Sequence, residues 1–282
     1  MRRISWLWMV VVLVIGLFGP LGLAQETPQT NEETDEGVRS AFLVTRKKPV
    51  SPPVTKGKRP PKIGFPLSVP RLGLGISLYA RLRGNPTGMA VRVDPSQIFQ
   101  AGDALRFVLE PNTNGFVYVF YRENDGEPVM LYPDVRLSRG LNQILAHVPM
   151  ELPSSRELNP QLQWFYFGNK PAIERLYFVV ARAPLPGIPI GNELLAYCQQ
   201  FPAACPWKPP LAAWQQLEGY VSSIPKQMSK LTRLGQSLTA GEGLAIQRDF
   251  GLKPADPDPS LVQINTFADA SLLIAQVNLR HE

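Results

Sequence analysis

Between Leu72 and Ala181 the apolar residues come in short runs rich in Val, Phe and Tyr, broken by Gly, Pro, Asn and Asp. Runs of that length with that punctuation predict strands. They fall at Gly75 to Leu82, Ala90 to Val93, Ala104 to Glu110, Phe116 to Arg122, Val129 to Tyr132, Asn142 to His147, Gln163 to Phe167 and Arg175 to Ala181. From Gly187 the spacing turns helical, in "NELLAYCQQF", "LAAWQQLEGYV" and "KQMSKLTRLGQSL", with prolines at 202, 206, 209, 210 and 225 separating the pieces. Two further strands, Leu261 to Thr266 and Leu272 to Leu279, follow. The pattern predicts a mainly β chain: an antiparallel β-sandwich over residues 71–282, with a short helical insert at about 187–253 before the last two strands.

One hairpin breaks the usual alternation. "GFVYVFYRENDGEPVMLYP", Gly115 to Pro133, is apolar on both sides of its first strand. If Asp125 and Gly126 form a two-residue turn, Phe120 faces Leu131 and Tyr121 faces Met130 across the pair. One face then collects Tyr118, Phe120, Val129 and Leu131, and the other Val117, Val119, Tyr121, Met130 and Tyr132. Burying a Phe or Val contributes about 1.5–3 kcal/mol, so cover on both faces is the expected state: an opposing sheet on one and the helical insert on the other. The alternative is an exposed aromatic platform, with Tyr118, Phe120, Tyr121 and Tyr132 as a possible ligand surface.

The N-terminus changes the picture from shape to location. Arg2 and Arg3 precede an apolar run from Ile4 to Phe18, then Gly19-Pro20 and the small residues to Ala24. That order is a secretory signal over residues 1–24, with an uncleaved membrane anchor at residues 4–24 as the alternative. The chain is expected to be exported, periplasmic or extracellular, with membrane contact only if the signal is kept. Residues 25–70 pass from acidic to basic and carry prolines at 49, 52, 53, 60, 61, 66 and 70, which predicts a disordered, Pro-rich basic linker. The formal charge of +6 falls to +4 once Arg2 and Arg3 are removed, so nucleic acid is not an expected partner. Cys198 and Cys205, the only cysteines, are expected to form a local disulfide in an oxidising compartment.

Within this frame, "RVDPSQIFQAGDALRFVLEPNTNGFVYVFYRENDGEPVMLYP" resembles the bacterial extracytoplasmic family known only as domain of unknown function 4384. The resemblance is carried by Phe99 before Gly102-Asp103, by Asn112 or Asn114 before Gly115-Phe116, and by Leu131-Tyr132-Pro133. "ERLYFVVARAPLP", Glu174 to Pro186, is similar to that family's closing strand, while "NKPAI" before it departs from the family's Gly. The resemblance implies a bacterial β-sandwich module, exported or attached to signalling proteins, and brings no catalytic residues.

Candidate chemistry is sparse. With His147 and His281 alone, a histidine triad or a two-histidine metal site has little to draw on. His147 is expected to be a hydrogen-bonded edge residue and His281 to be solvated. Glu123, Asp125 and Glu127 cluster at a hairpin tip, where a turn is the expected role and a calcium loop the alternative. Asp103 is expected to bond backbone amides before its strand, and "GLG" at Gly73 lacks the third glycine of a dinucleotide loop. No catalytic, cofactor or metal residues are assigned, and the chain is expected not to be an enzyme. The function expected is non-catalytic binding of a protein or polysaccharide of the cell envelope. The alternatives are an envelope glycan hydrolase using acidic residues and a membrane-anchored scaffold.

Overall fold

The structure is a computed structural model that describes residues 31–46, 70–85, 88–136, 138–231 and 233–282. The expectations for the signal or anchor at residues 1–24 and for most of the 25–70 linker lie outside the described residues. In chain order the helices are α1 (Asn31–Leu43), α2 (Gly191–Gln200), α3 (Leu211–Ser223) and α4 (Ala240–Arg248). The strands are β1 (Gly73–Arg81), β2 (Val91–Val93), β3 (Ile98–Phe99), β4 (Ala104–Pro111), β5 (Gly115–Glu123), β6 (Val129–Tyr132) and β7 (Gln143–Ile144). They continue with β8 (Met150–Leu152), β9 (Phe165–Tyr166), β10 (Ala172–Ala181), β11 (Lys226–Lys230), β12 (Leu261–Asn265) and β13 (Leu272–His281).

Two sheets form, as the apolar alternation requires. One runs β11-β12-β1-β4-β8, with β2 on β1 and β9 on β4; the other runs β3-β13-β10-β5-β6, with β7 on β5. The pairings are antiparallel except for β3 with β13. The last two strands split between the sheets: β12 joins β1 and β13 joins β10. Between the sheets lies one apolar core, built from alternate residues such as Ile76, Phe107, Val119, Phe178 and Leu273.

The greasy hairpin is covered on both faces. Val117, Val119 and Tyr132 point into the inter-sheet core, while Tyr118, Phe120 and Met130 face outward into a second core. That second core is closed by the insert: Leu194 of α2, Trp207, and Trp214 and Leu217 of α3 pack on it. The Trp214 ring meets Tyr177 edge-on at 4.8 Å and Phe120 at 6.1 Å. The hairpin register differs from a two-residue turn. Phe120 pairs with Met130 and Tyr121 with Val129, whereas Val119 pairs with Tyr132. Asn124 enters the left-handed region at φ 47°, and the Gly126 amide donates to the Glu123 carbonyl at 2.8 Å. The ladder absorbs the offset as a bulge that leaves Leu131 unpaired, so Leu131 and Met130 exchange the faces expected of them.

Two other expectations are corrected. The described part of the 25–70 segment is a helix, because Val38, Ala41 and Phe42 form an apolar stripe that packs on Val262 and Ile264 of β12. The "KQMSK" portion of the insert is strand β11, which pairs with β12 at the edge of its sheet and keeps Met228 outward in water. The edge is protected by its own lysines.

The docking of α1 explains "GLG". Phe42 lies over Gly73 and Gly75, where added Cβ atoms would come within 2.9 Å and 3.2 Å of its ring. A Cβ on Gly75 would also fall 2.3 Å from Cγ of Pro259, part of a rigid ring that cannot swing away. Gly75→Ala should therefore cost about 1–3 kcal/mol by overpacking, read as a lower denaturant midpoint, with a midpoint equal to the native chain's as the contrary result.

Candidate functional site

The four aromatic residues named as the alternative, a possible ligand surface, are not gathered on an open face. Tyr118 and Phe120 are fully buried, Tyr132 is 8% exposed, and Tyr121 is half-buried on the inner face. Their polar atoms are already used. The Tyr118 hydroxyl accepts from the Leu185 amide at 2.9 Å, Tyr121 donates to Glu174 at 2.6 Å, and Tyr132 donates to the Leu141 carbonyl at 3.1 Å. The physical reason is the bulge together with the insert: each ring has a protein surface within reach, and water offers it nothing better.

An open concave surface lies beside that hairpin instead. A cleft of about 510 Å³ is bounded by the end of β6, the segment after β8, the stretch entering β9, and the disulfide loop. Cys198, in the last turns of α2, is joined to Cys205, and this closes a short loop that ends two residues before Trp207. The Trp207 carbonyl accepts from the Met130 amide at 2.9 Å, which fixes the loop along the outer edge of β6. Leu162, Trp164 and Phe165 also line it. Trp164 is clasped between the guanidinium groups of Arg81 at 4.3 Å and Arg106 at 4.0 Å. Arg106 also donates to the Gln163 carbonyl at 2.8 Å and pairs with Glu151 at 3.4 Å, so the wall is braced from behind. Polar groups are few: Asp134 paired with Arg136, and Ser154 and Glu157. The volume lies within the ~300–1,000 Å³ typical of ligand pockets, and mostly apolar walls with a few polar groups are what such pockets share.

A second constellation was not legible in the sequence. The carboxylate of Glu110, on the outer face of β4, receives Arg46 Nε at 2.8 Å and a second Arg46 nitrogen at 2.7 Å. It also faces Nδ1 of His147 at 2.7 Å, and Nε2 of that ring lies 2.6 Å from the hydroxyl of Thr45. Glu110 and Arg46 are almost wholly buried. Of these residues the sequence marks His147 alone, as a hydrogen-bonded residue; Thr45 and Arg46 lie in the segment whose composition predicts a linker. The available signals were the Val38–Phe42 helical spacing and a lone carboxylate inside the apolar strand "ALRFVLEP".

Other acidic residues are similarly tied. Asp125 pairs with Arg175 at 3.1 Å and Glu127 with Lys208 at 2.7 Å, so these two carboxylates of the hairpin-tip cluster belong to separate surface pairs. Asp103 accepts the amides of Arg83 at 2.6 Å and Gln100 at 2.8 Å. His281 is buried rather than solvated, because it continues the inward alternation of Val277 and Leu279, and its Nε2 lies 2.9 Å from Glu174. Among the described residues no group of three or more His, Cys, Asp or Glu side chains is placed to hold a metal ion.

Burial pushes the Tyr132 phenol up to about 12. The folded state thus holds this proton more tightly than the unfolded chain, whose phenols titrate near ~10. Its contribution is fully present below about pH 10 and is lost as pH rises toward 12. Stability measured by urea unfolding should fall over that window, and less steeply in Tyr132→Phe; identical slopes would contradict the assignment. No protein-family model matches the chain, and no curated protein or solved structure matches it significantly.

Proposed function

We propose that the chain is an exported binding domain, and that it takes an apolar side chain of a protein partner into the cleft between Trp164 and Trp207. The observation that carries this reading is the cleft's lining: about 510 Å³ walled by tryptophan, proline and leucine, with its charges confined to Asp134, Arg136 and Glu157. A polysaccharide needs many hydrogen-bonding groups for its hydroxyls, and this surface supplies few, so of the two envelope partner classes the protein is favoured. Export is supported by the charged, apolar, small-residue order of residues 1–24 and by a paired rather than free set of cysteines. The resemblance to the domain of unknown function 4384 family supports the same compartment. The glycan hydrolase reading gains no support from the hairpin tip, where Asp125 and Glu127 stand in water and are each paired with a cation.

The rim residue Leu162 is 38% exposed, so it can be changed at little cost to the fold. Leu162→Asp would place a charge where an apolar anchor enters. In a pull-down of envelope extract by the full chain, the native protein should retain a partner that Leu162→Asp binds about tenfold or more weakly, a difference of ~1.4 kcal/mol. Equal retention by both, or retention of glycan alone, would overturn the reading.

A further inference from the structure

Thr45 stands just beyond the last turn of α1, half-buried, with exposed Val44 before it. Its Oγ1 lies 2.6 Å from Nε2 of His147, and Nδ1 of the same ring lies 2.7 Å from Oε1 of Glu110. An ionised carboxylate only accepts, so in the neutral imidazole the proton sits on Nδ1 and the Nε2 lone pair faces the hydroxyl, whose one proton is contested between that nitrogen and the Phe42 carbonyl at 3.0 Å. Arg46 holds both oxygens of Glu110, at 2.8 Å and 2.7 Å, and so fixes the carboxylate that fixes the ring. His147 adopts φ 58°, a conformation strained for a side chain with a Cβ, and there its amide donates to the Pro111 carbonyl at 2.6 Å. A hydroxyl, a base within hydrogen-bond reach and a third group orienting the base are the working parts of nucleophilic acyl transfer.

We propose that Thr45 is a nucleophile for acyl transfer, with His147 as its base and with Glu110 and Arg46 as positioning residues. This goes beyond the binding reading and rests on none of the cleft residues. The substrate class is an activated ester with an apolar acyl or aryl portion. Exposed apolar side chains belong to the three segments that meet at His147: Val44 precedes Thr45, Leu145 precedes His147 by two residues, and Phe250 stands two residues before Leu252, whose amide donates to the His147 backbone carbonyl at 2.7 Å. In the step, Oγ1 bonds to the carbonyl carbon while its proton passes to Nε2. The bond from that carbon to the leaving oxygen then breaks with its electron pair, and Nε2 returns the proton to the departing alcohol. Water adds to the Thr45 ester by the same route, releases the carboxylic acid and restores the hydroxyl.

The test uses the full chain with p-nitrophenyl acetate. The expected result is one acetyl group mapped to Thr45 by mass spectrometry, with nitrophenol release about 100-fold faster than in Thr45→Val, the size of a positioned general-base effect. Thr45→Ser should keep the activity and His147→Gln should lose it. Thr45→Val preserves shape, and unchanged protease resistance of α1 in that variant separates lost chemistry from a lost helix. Equal release rates in the native chain and Thr45→Val, or acetylation confined to lysines, would overturn the proposal and leave the cluster as a clip for α1.

Discussion

A strand that is apolar on both sides persists only between two covers, and most of this architecture follows from that requirement at β5, β10 and β13. Their inner residues meet the opposing sheet, and their outer residues Tyr118, Phe120, Tyr177, Val179 and Ile274 are fully or almost fully buried. Leaving rings of that size in water would forgo about 1.5–3 kcal/mol each, and edge-on aromatic contacts such as Tyr177 with Trp214 add roughly 0.5–1.5 kcal/mol. The insert therefore serves as the third layer. Its short helices, weak in isolation, persist because they have this face to cover.

The other sheet is covered by different physics. Its outer face carries Tyr79, Arg106 and Glu110, and the segments over it are held by buried polar pairs. Arg92 bonds Tyr79 at 2.7 Å and Glu242 of α4 at 2.5 Å, while Arg46 of the α1 end holds Glu110. The proline-rich loop before β12 cannot satisfy its carbonyls through its own prolines, which lack N–H groups. Arginines do so instead: Arg39 on Pro259 at 2.9 Å, Arg46 on Asp256 at 2.9 Å and Arg92 on Asp258 at 2.7 Å. Buried ion pairs contribute little net stability, yet removing one partner strands a charge at ~3–5 kcal/mol. Such pairs decide where a segment sits more than how tightly it sits.

This contrast also marks what the sequence discloses. The sandwich, the insert and the disulfide are legible because alternation, helical spacing and a short cysteine spacing are local patterns. The strap of α1 and the Thr45–His147–Glu110 cluster are not, since their members are far apart in the chain and a proline-rich basic surrounding disguises a short helix as linker. The Trp164–Trp207 cleft is hidden for a related reason. Its walls come from irregular segments around β8, β9 and the disulfide loop, which have no periodicity to read. The apolar pattern places Met130 and Leu131 on the faces opposite to those they occupy, because a bulge changes register without changing composition.

The claim that the outer aromatic face is sealed by the insert has a direct measure in hydroxyl-radical footprinting of the folded chain, read residue by residue. The account predicts that Tyr118, Phe120 and Tyr177 are modified at least about tenfold more slowly than the exposed rings of Tyr166 and Phe250, reaching comparable rates only on unfolding. Modification of Tyr118 and Phe120 at the rate of Tyr166 in the native protein would show that face open to water, and would contradict it.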